Sequence, residues 1–298
     1  MNSTSDPNKQ QDPQEKFDQP PFNESTQSEP GEESEMNIKP DHGEESYKGS
    51  GKLVGRKAII TGGDSGIGKA AAIAFAREGA DVLISYLNEE EDARDTAKWV
   101  EQAGRKAVLV PGDICDENHC KAIVQRAVDE FGQIDILVNN AAFQMARESM
   151  QEISSEEFDK TFKTNVYAMF YLCKAAEPHM KPGSTIINTT SVNAYKPSPM
   201  LLPYAATKGA IQNFTANLGQ ILADKGIRVN CVAPGPIWTP LIPATMKEEA
   251  VKSFGKDTPM KRPGQPVELS AIYVLLASEG SSYMTGSTVQ VTGGTPTI

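Results

Sequence analysis

Three features of the 298-residue chain predict an α/β fold, a single doubly wound parallel sheet with helices on both faces. From Arg56 onward, short apolar runs alternate with longer stretches of helical period, the order that a parallel sheet covered on both faces requires. The first run ends in a glycine-rich turn, Thr61-Gly62-Gly63-Asp64-Ser65-Gly66-Ile67-Gly68, which opens a helix. Two later runs end in Asn139-Asn140-Ala141-Ala142 and Pro234-Gly235-Pro236-Ile237-Trp238-Thr239, placing both loops at the same edge of the sheet.

The first strand is expected at 57–60, followed by an alanine-rich helix at 66–78. A strand at 81–86 leads to a helix at 89–103, and one at 106–110 to a helix at 117–131; both helices open on acidic residues, which suit a helix amino terminus. Strands at 134–139 and 184–189 are followed by the long helices 155–179 and 204–225. Strand 227–233, helix 267–277 and strand 287–291 complete a seven-stranded sheet. Residues 235–265 separate the sixth strand from the last long helix and carry Trp238, Leu241, Ile242, Met246 and Phe254 among prolines and charges. At the carboxyl edge of a doubly wound sheet, where ligands bind, such a segment is a candidate lid.

The acidity is unevenly placed. Residues 1–50 hold twelve Asp and Glu against four Lys, so they carry −8 of the net −10. With six prolines and few apolar anchors (Phe17, Phe22, Met36, Ile38, Tyr47), residues 1–47 are expected to be a largely disordered tail ahead of a domain over 48–298. Pro20-Pro21-Phe22 within it also suits extended docking on the body or on a neighbouring subunit.

No basic stretch followed by an apolar one opens the chain, and no apolar run is long enough to cross a bilayer, so a cytoplasmic protein is expected. Cys115, Cys120, Cys173 and Cys231 form no C-x-x-C pair, which suits a reducing compartment. Cys115, His119 and Cys120 lack a fourth ligand, so no metal is expected. A near-neutral body with an acidic tail argues against nucleic acid as a partner.

Tyr204 and Lys208 stand four residues apart on a predicted helix, thirteen residues after Ser191. Positions i and i+4 share a face, so an ammonium can favour the ionised form of a phenol and make it a proton donor and acceptor near neutrality. Taken with the glycine turn, this points to carbonyl/alcohol oxidoreduction with a nicotinamide cofactor.

Together, Thr-Gly-x-x-x-Gly-x-Gly, Asn-Asn-Ala, a Ser thirteen residues before Tyr-x-x-x-Lys, and Pro-Gly followed by Thr239 resemble the short-chain dehydrogenase/reductase family over about residues 50–298. Within it, the chain is similar to the bacterial subgroup with a proline-rich amino-terminal extension, which includes general-stress oxidoreductases, glucose-dehydrogenase-like proteins and aldehyde reductases. The resemblance implies a Rossmann-type domain and a homotetramer. It further implies that Tyr204 acts as acid and base, that Lys208 lowers its pKa and binds ribose, that Ser191 holds the substrate oxygen, and that Asn165 holds a water linking Lys208 to solvent. For the cofactor, it implies Gly62, Gly66 and Gly68 at the turn and the backbone of Ile67 at the pyrophosphate. Asp113 and Ile114 would meet the adenine, Asn139 and Ala141 the ribose, and Ile237 and Thr239, in the loop opened by Pro234 and Gly235, the nicotinamide. Ala142 departs from the family's usual Gly.

No acidic residue stands at Tyr86, where one would read a ribose hydroxyl, and no Lys or Arg stands at Leu87 or Ser65, where one would read a phosphate. Ser85, Tyr86 and Asn88 favour a phosphate while Glu89, Glu90 and Glu91 oppose it, so NADP is expected slightly over NAD, with use of both. Trp238, Leu241, Ile242, Met246 and Phe143 suggest an apolar substrate wall, with Asn193, Gln144 and Tyr195 as polar contacts for a small aldehyde, ketone or sugar. Two other readings stay open, an epimerase or dehydratase of the same fold and a non-catalytic dinucleotide sensor.

Overall fold

The computed structural model describes residues 10–297. Strands β1 (Lys57–Thr61), β2 (Asp81–Tyr86), β3 (Ala107–Pro111), β4 (Ile134–Asn139), β5 (Met180–Thr189), β6 (Arg228–Pro234) and β7 (Thr288–Val291) form one sheet in the order β3-β2-β1-β4-β5-β6-β7. Every neighbouring pair is parallel. The order reverses between β1 and β4, and in a doubly wound sheet the crevice at that reversal is where a ligand sits.

Helices α1 (Gly66–Arg77), α2 (Glu90–Gln102), α3 (Glu117–Phe131), α4 (Ser155–Phe162), α5 (Ala168–Ala176), α6 (Leu202–Ala223), α7 (Leu241–Thr245), α8 (Glu248–Lys252) and α9 (Val267–Ala277) follow in chain order. Alternation along the central strands sorts the core into two layers. Ile60, Val138 and Ile187 pack with Phe75 of α1 and Leu269 and Tyr273 of α9 on one face. Ile59, Leu137 and Ile186 pack with Ile123 of α3, Leu172 of α5 and Ile211 of α6 on the other.

Two boundaries differ from expectation. The long helix predicted over 155–179 is interrupted by a π-helical turn at Lys163–Tyr167 and closes in a 3-10 turn at Glu177–His179. Strand β5 begins at Met180, earlier than expected, because Met180 pairs with Ile134 ahead of the register shift between Ile134 and Ile136.

The expectation of a largely disordered tail fails for residues 10–47; residues 1–9 of that segment lie outside the described residues. The arm lies on the lid and on the α1 side of the body. Phe22 is buried with its ring 4.5 Å from that of Trp238, and its N–H donates to Lys252 O at 2.9 Å. Met36, Ile242 and Val251 complete this small core. The Trp238 indole N–H donates to Ile38 O at 2.9 Å, and Gln27 N to Pro243 O at 3.0 Å. The arm's carboxylates serve as internal anchors. Glu24 accepts from the backbone N–H of Asn37 and Ile38. Glu33 pairs with Lys69 of α1 at 2.7 Å and with His42 at 2.6 Å, and this contact with opposite charge holds Glu33 below the usual carboxylate range despite its burial. Composition alone hid these partners, because the apolar surface that covers Phe22 and Met36 comes from residues more than 200 positions away. Substituting Phe22→Ala should cost about 3 kcal/mol and lower the calorimetric melting temperature by several degrees; an unchanged temperature would mean that the arm is off the body in solution.

Candidate active site

The glycine turn is set by close approach. Gly62 and Gly66 adopt left-handed φ of 59° and 51°. A Cβ on Gly68 would come within 1.8 Å of the Gly62 carbonyl oxygen, and one on Gly66 within 2.9 Å of Thr239 Cγ2. Thr61 Oγ1 accepts from Asn140 N at 3.0 Å and Ala141 N at 3.2 Å, while Asn140 Nδ2 donates to the carbonyls of Thr61 and Gly62. These bonds fix the end of β4 against the turn, so the crevice keeps its shape.

A cleft of about 400 Å³ opens at this edge. Its wall includes Gly62, Ser65, Gly66, Ile67, Ser85, Tyr86, Asp113, Ile114, Ala141, Ser191, Tyr204, Lys208, Pro234, Gly235, Ile237 and Thr239, so most of the expected residues are brought together. Gly68, Asn139 and Asn165 do not reach it. Gly68 is the floor of the turn. Asn139 faces inward at the strand end, where its Nδ2 donates to Asn188 Oδ1 at 2.8 Å and ties β4 to β5; its neighbour Asn140 is the one that faces the cleft. The two-residue alternation of a strand was the signal that could have separated them.

Ser191, two residues past β5, caps a short 3-10 turn by accepting from Asn193 N at 3.1 Å. Tyr204 lies in the first turn of α6 and Lys208 one turn on. The Lys208 amine is buried, 1% exposed as a residue, and donates to Thr189 O at 2.8 Å. It lies 5.1 Å from the centroid of the Tyr204 ring. Burial acts on both groups in opposite directions. It pushes the Tyr204 phenol up to about 12, against the pull of a hydrogen bond with Ser191, and it brings the Lys208 ammonium down to about 7. Burial thus opposes charge on both groups, so any help that the Lys208 ammonium gives an ionised Tyr204 has to offset a desolvation cost on each.

Asn165 sits in the π turn, where its side chain is fully used. Oδ1 accepts from Phe143 N at 2.7 Å, and Nδ2 donates to Phe143 O at 2.9 Å and to Thr207 Oγ1 at 3.0 Å. It thus holds the loop after β4 against α6. A second cavity of about 10 Å³ lies between Asn165 and Thr189, room for about one water molecule.

At the far end, Ser85 Oγ is buried without a hydrogen-bond partner among the described residues. The Tyr86 hydroxyl is spent on Glu90, and burial pushes it up to about 12. Buried Asp64 lines the cleft; burial, and then the nearby Glu89 carboxylate, push it up to about 7.

Two expected substrate contacts are absent from the wall. Trp238 is covered by Phe22 of the arm, and Tyr195 is turned away, its hydroxyl accepting from Gln212 Nε2 at 2.8 Å. Phe143, Gln144, Asn193, Leu241, Ile242 and Met246 do line it, joined by Leu201, Lys160 and Glu29-Pro30-Gly31, which sequence reading missed. Nothing in the local pattern around Glu29 marks it. Among the described residues, no cluster of three or more His, Cys, Asp or Glu is arranged to hold a metal ion, and no helix is long and apolar enough to cross a membrane.

A family model described as enoyl-(acyl carrier protein) reductase matches residues 62–296. General stress protein 39 of Bacillus subtilis is 58% identical over 270 residues, 90% of this chain and 94% of that protein. The NADPH-dependent aldehyde reductase 1, chloroplastic, of Arabidopsis thaliana is 47% identical, with 90% and 95% covered. A short chain dehydrogenase from Burkholderia cenocepacia, solved in complex with NADP, superposes with a TM-score of 0.75 at 31% identity, covering 82% of this chain and 98% of that one.

Because the folded Asp64 carboxyl sits above an unfolded aspartate, the native state binds its proton more tightly, and stability falls as pH rises from about 4 to about 7. Asp64→Asn should remove that slope, so its melting temperature should gain on wild type across this window by circular dichroism; parallel curves would contradict the assignment. Gly68→Ala should lose dinucleotide binding, or fail to fold, as read by fluorescence titration, because the added methyl meets backbone rather than a movable side chain.

Proposed function

The chain belongs to the short-chain dehydrogenase/reductase family of NAD(P)-dependent oxidoreductases, and from that premise we propose that Tyr204 is the acid and base that interconverts a small aldehyde, ketone or sugar with its alcohol. The observation that carries this reading is the meeting of Ser191, Tyr204 and Lys208 on the wall of the same cleft that the glycine turn opens into.

The dinucleotide fits that cleft on two grounds: a turn whose glycines leave no room for a Cβ, and the buried Ser85 hydroxyl with bonding capacity to spare. The amino terminus of α1 presents free N–H groups beside Ser65, Gly66 and Ile67, which suits a pyrophosphate. Asp113 and Ile114 would take the adenine, Asn140 and Ala141 the ribose, and Ile237 and Thr239 the carboxamide end. When bound, the nicotinamide supplies or accepts the hydride.

The chain's own residues handle the proton. Ser191 and Tyr204 hydrogen-bond the substrate oxygen and fix it against the phenol. In reduction the phenol gives its proton to that oxygen. Lys208 in its charged form stabilises the phenolate that remains, its Nζ standing 5.1 Å from the centre of that ring. The cavity beside Thr189 and Asn165 suits a water through which the pair regains its proton.

For the cofactor, Ser65 and Ser85 favour a 2'-phosphate, and Asp64, whose ionisation burial and then the Glu89 carboxylate resist, opposes it only weakly, which supports NADP slightly over NAD with use of both. A homotetramer is supported by apolar side chains left exposed on the helices flanking β5, namely Tyr167, Phe170 and Ile221, and by Tyr283 ahead of β7. A cytoplasmic location accords with four free cysteines.

Tyr204→Phe should keep nucleotide affinity within a few-fold and lower kcat by about 10²–10⁴ in a spectrophotometric assay with a carbonyl substrate. A variant that turns over at the wild-type rate would refute the assignment.

A further inference from the structure

Lys160 of α4 is one of two lysines on the cleft wall among the described residues; the other, Lys208, is buried against Thr189 O. Lys160 stands over the ring of Phe143, with Nζ 4.3 Å from the centroid. Phe143 is pinned through both its N–H and its carbonyl by Asn165, whose amide also reaches Thr207 one turn along α6 from Tyr204. Lys160 is therefore held on the wall of the cleft that Tyr204 also lines, and among the described residues it is the one cation on that wall with access to solvent, its side chain 47% exposed. It would be the natural partner for a carboxylate or phosphate on a substrate.

The arm takes that partner away. Glu29 is ion-paired to Lys160 across the cleft mouth, and Glu29, Pro30 and Gly31 themselves form part of the wall. The placement of Glu29 is enforced on both sides. Gly31 has φ of 89°, and a Cβ there would lie 2.6 Å from Pro240 O, so the chain is pressed against the start of α7. Upstream, Gln27 N is held by Pro243 O at 3.0 Å; downstream, Glu33 N donates to Asp92 Oδ2 at 2.7 Å. A carboxylate held at this place neutralises the one cation available to an anionic substrate and adds its own repulsion. Specificity by an unfavourable charge is as effective as specificity by a favourable contact.

Building on the proposed carbonyl reductase activity, we propose that Glu29 is a specificity-determining residue, lent to the active site by the amino-terminal arm, which pairs with Lys160 and biases the cleft towards uncharged carbonyl substrates and against carboxylate-bearing ones. The arm is thereby part of the substrate site rather than an appendage to it.

The test compares kcat/KM for two aldehydes of one shape, 4-formylbenzamide and 4-formylbenzoate, in the full-length protein. Glu29→Gln should raise the ratio of anionic to neutral substrate by about tenfold, with most of the change in KM. Glu29→Lys should raise it further, and the gain of Glu29→Gln should shrink at 0.5 M salt, where exposed charges are screened. Adding Lys160→Gln to Glu29→Gln should return the ratio to the wild-type value or below. A ratio that stays within twofold of wild type in both Glu29 variants, with their melting temperatures retained, overturns the inference while leaving the carbonyl reductase reading intact. A wild-type protein that reduces neither aldehyde, nor any of a panel of ketones and sugars, overturns that reading and this inference with it.

Discussion

An amine almost out of reach of water, held by one carbonyl at the end of β5, is the constraint around which the site is built. Burial makes charge on Lys208 costly, and it makes charge on Tyr204 costly as well, so neither group carries a net charge cheaply. An ammonium beside the ring offsets part of that cost for an ionised phenol, and a substrate oxygen placed beside the phenol can exchange a proton with it. Everything nearby serves that geometry. Thr190 Oγ1 donates to Lys208 O at 2.7 Å, Asn165 holds the loop after β4 against α6, and Ser191 closes the turn that brings its hydroxyl to the phenol.

The same edge of the sheet must also bring backbone close to a charged ligand. The parallel order, reversing between β1 and β4, leaves a crevice into which the turn at Gly62–Gly68 projects, and Thr61 and Asn140 bond the two sides of the reversal together. Above the crevice, the segment after β6 contributes only the short helices α7 and α8. Two such short helices need outside support, and the arm gives it by packing Phe22 and Met36 against Trp238 and Val251. A lid held this way is tied to the body through Lys69, Glu33 and His42, an ion-pair network that joins the acidic arm to the first turn of α1.

The sheet, its strand count and its covering helices were legible because a buried parallel strand and an amphipathic helix have different periods, and glycine marks the turn between them. Ser191, Tyr204 and Lys208 were legible because their spacing along one loop and one helix is local. What could not be read depends on residues far apart in the chain. Pro20-Pro21-Phe22 could be read as suited to docking but its partner Trp238 could not, and the loss of Trp238 from the substrate wall is the same fact seen from the other side. Asn139 was assigned to the cleft although strand alternation turns it inward towards Asn188. The spacing of Tyr204 and Lys208 gives their proximity but not the burial that opposes charge on both. The π turn falls on Lys163-Thr164-Asn165-Val166-Tyr167, whose Thr, Asn, Val and Tyr are weak helix formers, but weak propensity alone does not distinguish a π turn from an ordinary helix.

The most direct test of the Tyr204–Lys208 pairing is the pH dependence of single-turnover alcohol oxidation, measured with oxidised cofactor saturating, in wild type and in Lys208→Met. In this direction the phenol must first give up its proton, so the rate should fall on the acid side of an apparent ionisation that belongs to the pair. Removing the amine leaves the phenol to ionise unaided in a buried site, and that limb should move up by about two pH units or more. Acid limbs that coincide in the two proteins would contradict the account.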